Sequence, residues 1–212
     1  MVARTEQKAR LLDLVAEVLD LTREGHRNVD DVSSVLQAIK DDPNFAGRLL
    51  SRRWPIWKAI YVGGKDVGQL MREIEQAGCK ISSWAQDMMR QKKSFKTSSE
   101  SQQVNFVKLK VCNLGFEERP TTDELYAKAL SQGLELCLLE DGPMLRANYL
   151  DQPNREVLWI AMEQIADSVD GLIVFELSHG SDVLWLDGSV AHPGIHWNLG
   201  LEIVFRLSKK SS

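Results

Sequence analysis

Leu11, Leu12, Val15, Val18, Leu19 and Leu21 recur near helical spacing, while Asp13, Glu17, Asp20 and Glu24 take the other side. The pattern predicts an amphipathic helix. Gly25-His26 supplies a stop, and Asp30 or Asp31 is expected to cap a second helix with Val32, Val35, Leu36 and Ile39 on one face. Asp41-Asp42-Pro43-Asn44 ends it, because a proline disfavours helix at the residue before it. Neither stripe can be buried by its own helix. The hairpin, taken as 1–52, is therefore expected to dock on the rest of the chain or on a second copy, which would make a homodimer.

The next stretch, 53–93, reads as a basic helix pair. It is entered through a connector at 45–60 rich in Arg48, Arg52, Arg53, Trp54, Trp57 and Lys58. Two readings of that connector stand: a partner-binding strip, or tryptophans that pack the hairpin on the main domain. After Gly63-Gly64 a helix is predicted near 66–77, with Val67, Leu70, Met71 and Ile74 apolar. A tight turn follows at 77–81. Ser82 or Ser83 then caps a helix to about Gln91, and Ser83 with Gln86 fits a capping box. Residues 94–103 are polar and aperiodic, which predicts an exposed linker. From 104 to 111 apolar and polar residues alternate, as in a half-buried strand.

The remainder is the most regular part. Thr121 to Glu124 forms a capping box, and Gly133 closes the helix it opens. Strand-like runs are predicted at 134–139, 156–163, 172–177, 183–187 and 201–207. Val169-Asp170-Gly171 and His179-Gly180-Ser181 are expected to turn antiparallel hairpins. Helices precede strands rather than alternating with them. The expected class is α+β: a helical hairpin and helix pair, then a mainly antiparallel sheet with one packed helix in a domain at 104–208.

Composition places this chain among ordinary globular proteins: 212 residues, 43% hydrophobic and 26% charged. The charge, however, is uneven. Residues 1–40 sum to −1, 41–110 to +6 and 111–212 to −9, which together give the net −4. A basic segment at 41–110 is expected to meet either an electrostatic partner or the acidic half of the same chain. No apolar run is long enough to span a bilayer, and the first residues lack the apolar core of a signal peptide. No membrane partner and a cytoplasmic protein are expected. Cys79, Cys112 and Cys137 form no CxxC pair, and their apolar neighbours predict small buried hydrophobes.

Phosphate-loop, dinucleotide and nucleophile-elbow motifs are missing from the sequence. His192 and His196 are four apart, but Pro193-Gly194 between them forbids the regular helix that a zinc pair needs. Carboxylates are many, and no spacing selects an acid–base pair. Cys137 lies in an apolar run suited to packing rather than nucleophilic attack. No catalytic residue, metal ligand or cofactor is assigned.

Several short motifs occur in order: Gly78-Cys79-Lys80-Ile81 with Trp84-Ala85, then Leu114-Gly115-Phe116, Gly133-Leu134-Glu135-Leu136-Cys137 and Gly142-Pro143. Leu145-Arg146, Asp151-Gln152-Pro153, Ile160-Ala161-Met162-Glu163 and Trp185-Leu186-Asp187-Gly188 continue the set. Over about 60–207 the chain thereby resembles an uncharacterised bacterial family frequent in candidate-phyla genomes. Leu138-Leu139 replaces the prolines usual there, and Asn148 the usual glutamine. The resemblance supports the fold expectation and implies no activity.

Three functional readings follow. The leading one is a noncatalytic binding or regulatory protein for an unidentified protein or small ligand. Its candidate residues are Arg146, Tyr149, Asp151, Gln152, Trp159, Trp185 and Asp187. Tryptophans offer contact area, and arginine and carboxylates offer charge discrimination. A buried Arg146 would need a partner such as Asp151 or Glu135. The second reading is a DNA-binding regulator with a helix-turn-helix-like pair at 66–91, using Ser83, Gln86, Arg90, Lys92, Lys93 and Lys96. The third is a small enzyme with its site around 135–187.

Overall fold

The computed structural model describes residues 15–16, 18–25, 28–41, 54–91, 93–166 and 171–207. The chain divides into two compact units, Met1–Leu49 and Leu50–Ser212. In the first, a helical stretch at 18–23 precedes α1 (Val29–Asp41). The cap of α1 is Asn28, whose Oδ1 accepts from the amides of Asp30 (2.8 Å) and Asp31 (3.4 Å). The expected aspartates instead fill the first helical turn, where their charge suits the helix dipole. Val18, Leu19, Val35 and Leu36 of the predicted stripes are exposed. Leu11, Leu12, His26, the side chain of Ile39 and Arg48, Arg52 and Arg53 of the connector lie outside the described residues.

Among the described residues, the second unit is built on one mixed sheet of nine strands. These are β1 (Lys58–Val62), β2 (Lys80–Ile81), β3 (Gln102–Lys110), β4 (Leu134–Glu135), β5 (Val157–Ile160), β6 (Ile165–Ala166), β7 (Leu172–His179), β8 (Leu184–Val190) and β9 (Glu202–Leu207). The order is β1-β3-β9-β5-β7-β8-β2, with β4 beside β9 and β6 beside β7. Most pairs are antiparallel, as expected. β5 with β9 and β2 with β8 are parallel, so the sheet is mixed.

Among the described residues this unit has four α-helices: α2 (Val67–Gln76), α3 (Ser83–Arg90), α4 (Thr122–Ser131) and α5 (Asp141–Asn148). Each apolar helix face is spent on the core. Leu70 and Ile74 of α2, Ala85, Met88 and Met89 of α3, and Leu125 and Ala129 of α4 are buried. The capping box from Thr121 to Glu124 forms as the spacing predicts, and Gly133 takes a positive φ of 84° just beyond α4. α2 has its own box, Asp66 with Gln69.

Several expectations give way here. The helix pair at 53–93 and the domain at 104–208 share one sheet, because β1 pairs with β3 and β2 with β8. The segment 94–103 is no free linker. Phe95 is 3% exposed, Glu140 binds the Ser98 amide (3.0 Å) and hydroxyl (2.5 Å), and β3 already begins at Gln102. Ser82, not Ser83, caps α3, and Gln86 binds the Ile81 carbonyl rather than closing a box. Of the run 134–139 only two residues are strand, and α5 follows unannounced. The turn at 180–183 joins β7 to β8 as expected, while Val169 and Asp170 of the other turn lie outside the described residues.

Candidate functional site

Strand register sorts the leading candidates onto opposite faces of the sheet. Leu158 of β5, Leu177 of β7 and Leu186 of β8 stand side by side, and all three are fully buried. One position away, Trp159, Glu176 and Asp187 stand side by side on the other face, and all three are half-buried. Alternation along β8 puts Trp185 and Ser189 on that face too, on either side of Asp187. The seven candidates are therefore two sets.

Arg146, Tyr149 and Gln152 make up the buried set. Arg146 is entirely enclosed, as the last turn of α5 carries it under the sheet. Neither expected carboxylate partner meets it. Instead Nη1 donates to Gln152 Oε1 (2.5 Å) and to the Trp185 carbonyl (3.4 Å), and Nη2 donates to the Tyr149 carbonyl. Gln152 completes its own valences on the carbonyls of Glu156 (3.1 Å) and Leu177 (3.0 Å). His179 Nδ1 lies 2.6 Å from the Gln152 carbonyl, so that nitrogen carries the proton. Burial draws the guanidinium pKa below its ordinary value.

Tyr149 continues the network outward. Its hydroxyl donates to Glu156 (2.7 Å), which also binds Lys108 (2.6 Å). Burial first, and then the Glu156 carboxylate, pushes the phenol pKa up. Asp151 is elsewhere: its side chain is 80% exposed, and its partner is Lys58 at 3.2 Å, which holds the carboxyl below its usual range. Trp57 packs edge-on against Tyr149 with ring centroids 4.9 Å apart, and Trp54 donates from its indole to the Gln132 carbonyl (3.3 Å). Both connector tryptophans thus pack within the second unit.

Trp159, Trp185 and Asp187 make up the open set. The Trp159 indole donates to Ser189 Oγ (3.0 Å) and meets Trp197 edge-on at 6.0 Å. Trp197 in turn binds Thr122 of α4 (2.9 Å), which marks where helix cover begins on this face. The Lys80 ammonium lies 5.4 Å from the Trp185 ring centroid, a cation–π contact supplied by the chain itself. Asp187 faces Glu176 across the strand pair. Burial, then the Asp187 charge, pushes the Glu176 pKa from 4.5 up to about 7, against a lowering hydrogen bond from Ser189.

Glu176 and Ser189 were not among the sequence candidates. The available signal was a single carboxylate inside the apolar run Leu172 to Leu177. Its meaning depended on the register that sets it opposite Asp187.

The nucleic-acid candidates are arranged differently from a groove-reading pair. β2 separates the helices and pairs with β8, so α2 and α3 are parts of a helix–strand–helix layer. Ser83, Arg90, Lys93 and Lys96 are exposed, Gln86 is tied to Ile81, and Lys92 lies outside the described residues. Trp84 is 50% exposed, while Met88 and Met89 are buried.

Cys112 is exposed, contrary to expectation, and Cys79 and Cys137 are buried. Burial pushes the Cys137 thiol well up, which disfavours the thiolate that a nucleophile requires. His196 contacts the Arg119 carbonyl (3.0 Å), and His192 Nδ1 accepts from Gly194 (3.3 Å). Among the described residues, no group of three or more His, Cys, Asp or Glu side chains could hold a metal, and no helix is long and apolar enough to cross a membrane. Comparison with family models, with curated proteins and with solved structures gives no match.

Proposed function

We propose that the chain is a noncatalytic binding protein whose open sheet face holds a cationic group of a small ligand or partner protein. One observation carries this reading. Trp159, Glu176 and Asp187 stand in register on three adjacent strands, with Trp185 beside them, half-buried rather than covered by a helix. Indole faces and carboxylates together attract an ammonium or guanidinium by cation–π and charge-assisted contacts. The contact of Lys80 with Trp185 supports it, because an ammonium already uses one ring of this face. The −9 balance of residues 111–212 adds a favourable field.

The test uses N-acetylarginine amide and tetramethylammonium as probes, read by the indole N–H resonances of the labelled protein. Saturable shifts of Trp159 and Trp185 are expected, with affinity at least fivefold weaker in the double variant Glu176→Gln, Asp187→Asn. Acetate should move neither resonance. Unmoved indoles with both cations, or equal shifts with acetate, would overturn the reading.

A further inference from the structure

A hollow in the second unit lies where α2 starts and α3 ends. It measures about 700 Å³ and is lined by Asp66, Val67, Met89, Arg90, Phe95 and Lys96, with Thr97 at its edge. That volume falls within the roughly 300–1,000 Å³ usual for small-molecule sites. Its floor is apolar and rigid. Met89 is 1% exposed and Phe95 3%, and Phe95 is braced edge-on by Phe175 at 6.1 Å.

The rim is cationic. Arg90 and Lys96 are exposed, and among the described residues neither side chain has an ion pair or hydrogen bond. Residues 90–96 carry Arg90, Lys92, Lys93 and Lys96 and no acid. The one carboxylate lining the hollow, Asp66, is engaged as the α2 cap, accepting from the Gln69 amide at 2.8 Å. An apolar floor under unpaired cations is matched by a ligand with both parts. A duplex phosphate would meet the cations and leave Val67, Met89 and Phe95 without a partner.

We propose that this hollow binds a free amphipathic carboxylate, its apolar chain seated on Val67, Met89 and Phe95 and its head group held by Arg90 and Lys96. The site is separate from the sheet face above, and it stands or falls independently of it. Arg90 lies in the last turn of α3, where the helix dipole favours a cation.

Sodium decanoate, below its micelle concentration, is the probe for the full chain, read by the methyl resonances of Val67 and Met89. Saturable shifts at both methyls are expected. Decanol should bind at least tenfold more weakly, and decyltrimethylammonium should produce no saturable shift. The double variant Arg90→Ala, Lys96→Ala changes only exposed side chains, so it should fold; it should weaken decanoate at least tenfold and leave decanol unchanged. Absence of saturable shifts, equal affinity for the ammonium compound, or an unchanged decanoate affinity in the double variant would overturn the proposal. So would binding to anionic phosphatidylglycerol vesicles with no response to decanoate, since that would assign the cations to a membrane surface.

Discussion

Leu158, Leu177 and Leu186 share three strands with Trp159, Glu176 and Asp187, yet the first trio is fully buried and the second half-buried. The backbone is common to both, so the difference comes from what covers each face. On the leucine side lie α3 and α5, and they approach closely. A Cβ at Gly142 of α5 would stand 2.8 Å from Cβ of Phe175, and one at Gly188 would stand 3.2 Å from Cβ of Trp84 in α3. On the tryptophan side, helix cover stops near Trp197. Polar groups on the two faces consequently obey different rules. Under the helices each must find an internal partner, and Arg146 does so through both terminal nitrogens, while its buried Nε has none. On the open face burial is only partial, and Glu176 meets what desolvation remains by keeping its proton up to about pH 7 rather than by pairing with a cation.

The largest effect that would break this contrast is expected at Arg146. Arg146→Ala leaves Gln152 Oε1 and two backbone carbonyls short of a donor and opens a cavity under the sheet. The expected loss is about 3–5 kcal/mol in denaturant unfolding, or roughly 10 °C in Tm. A loss below about 1 kcal/mol would mean that the guanidinium is solvated and the two faces are not so different.

A paired substitution across the sheet sharpens the comparison. Leu177→Ala should cost about 2–4 kcal/mol. Trp185→Ala, which removes a larger side chain from the half-buried face, should cost only about 1 kcal/mol. Equal losses in thermal unfolding would mean that both faces are core.

Sequence patterns made one half of this comparison readable in advance. The Thr121–Glu124 box, the turn after His179 and the alternation from Val104 to Val111 depend on neighbours in the chain, and each produced its element. α5 was hidden because Asp141-Gly142-Pro143 reads locally as a turn. Its helix is set by distant groups: Arg206 grips Asp141 through two bonds of 2.5 and 2.6 Å, and Phe175 leaves room only for a glycine at 142. The parallel pairing of β5 with β9 joins residues more than 40 apart and has no local signature. The site divided along the same line. Trp159, Trp185 and Asp187 were legible as a group, whereas their separation from Arg146, Tyr149 and Gln152 required the strand register.

The smallest effect is a titration confined to the open face. Glu176 has its pKa pushed from 4.5 to about 7 by burial and by Asp187 opposite. Between those values the folded protein keeps a proton that the unfolded chain has already released, so this group's stabilising contribution is present below pH 4.5 and is lost as pH rises through 7. Glu176→Gln keeps the shape and removes the titration. Because water reaches the group, its contribution is discounted to about 1 kcal/mol, or roughly 2–4 °C in Tm. Between pH 5 and 8 the original protein should therefore lose about that much more stability than the glutamine variant, with every other titrating group cancelling in the difference. Affinity for a cation should move the opposite way, rising through pH 7 in the original and staying flatter in the variant, because only the ionised carboxylate attracts the probe. Parallel Tm profiles would place Glu176 in full contact with water, and the open face would then lose the partial desolvation that makes its carboxylates worth more than surface charges.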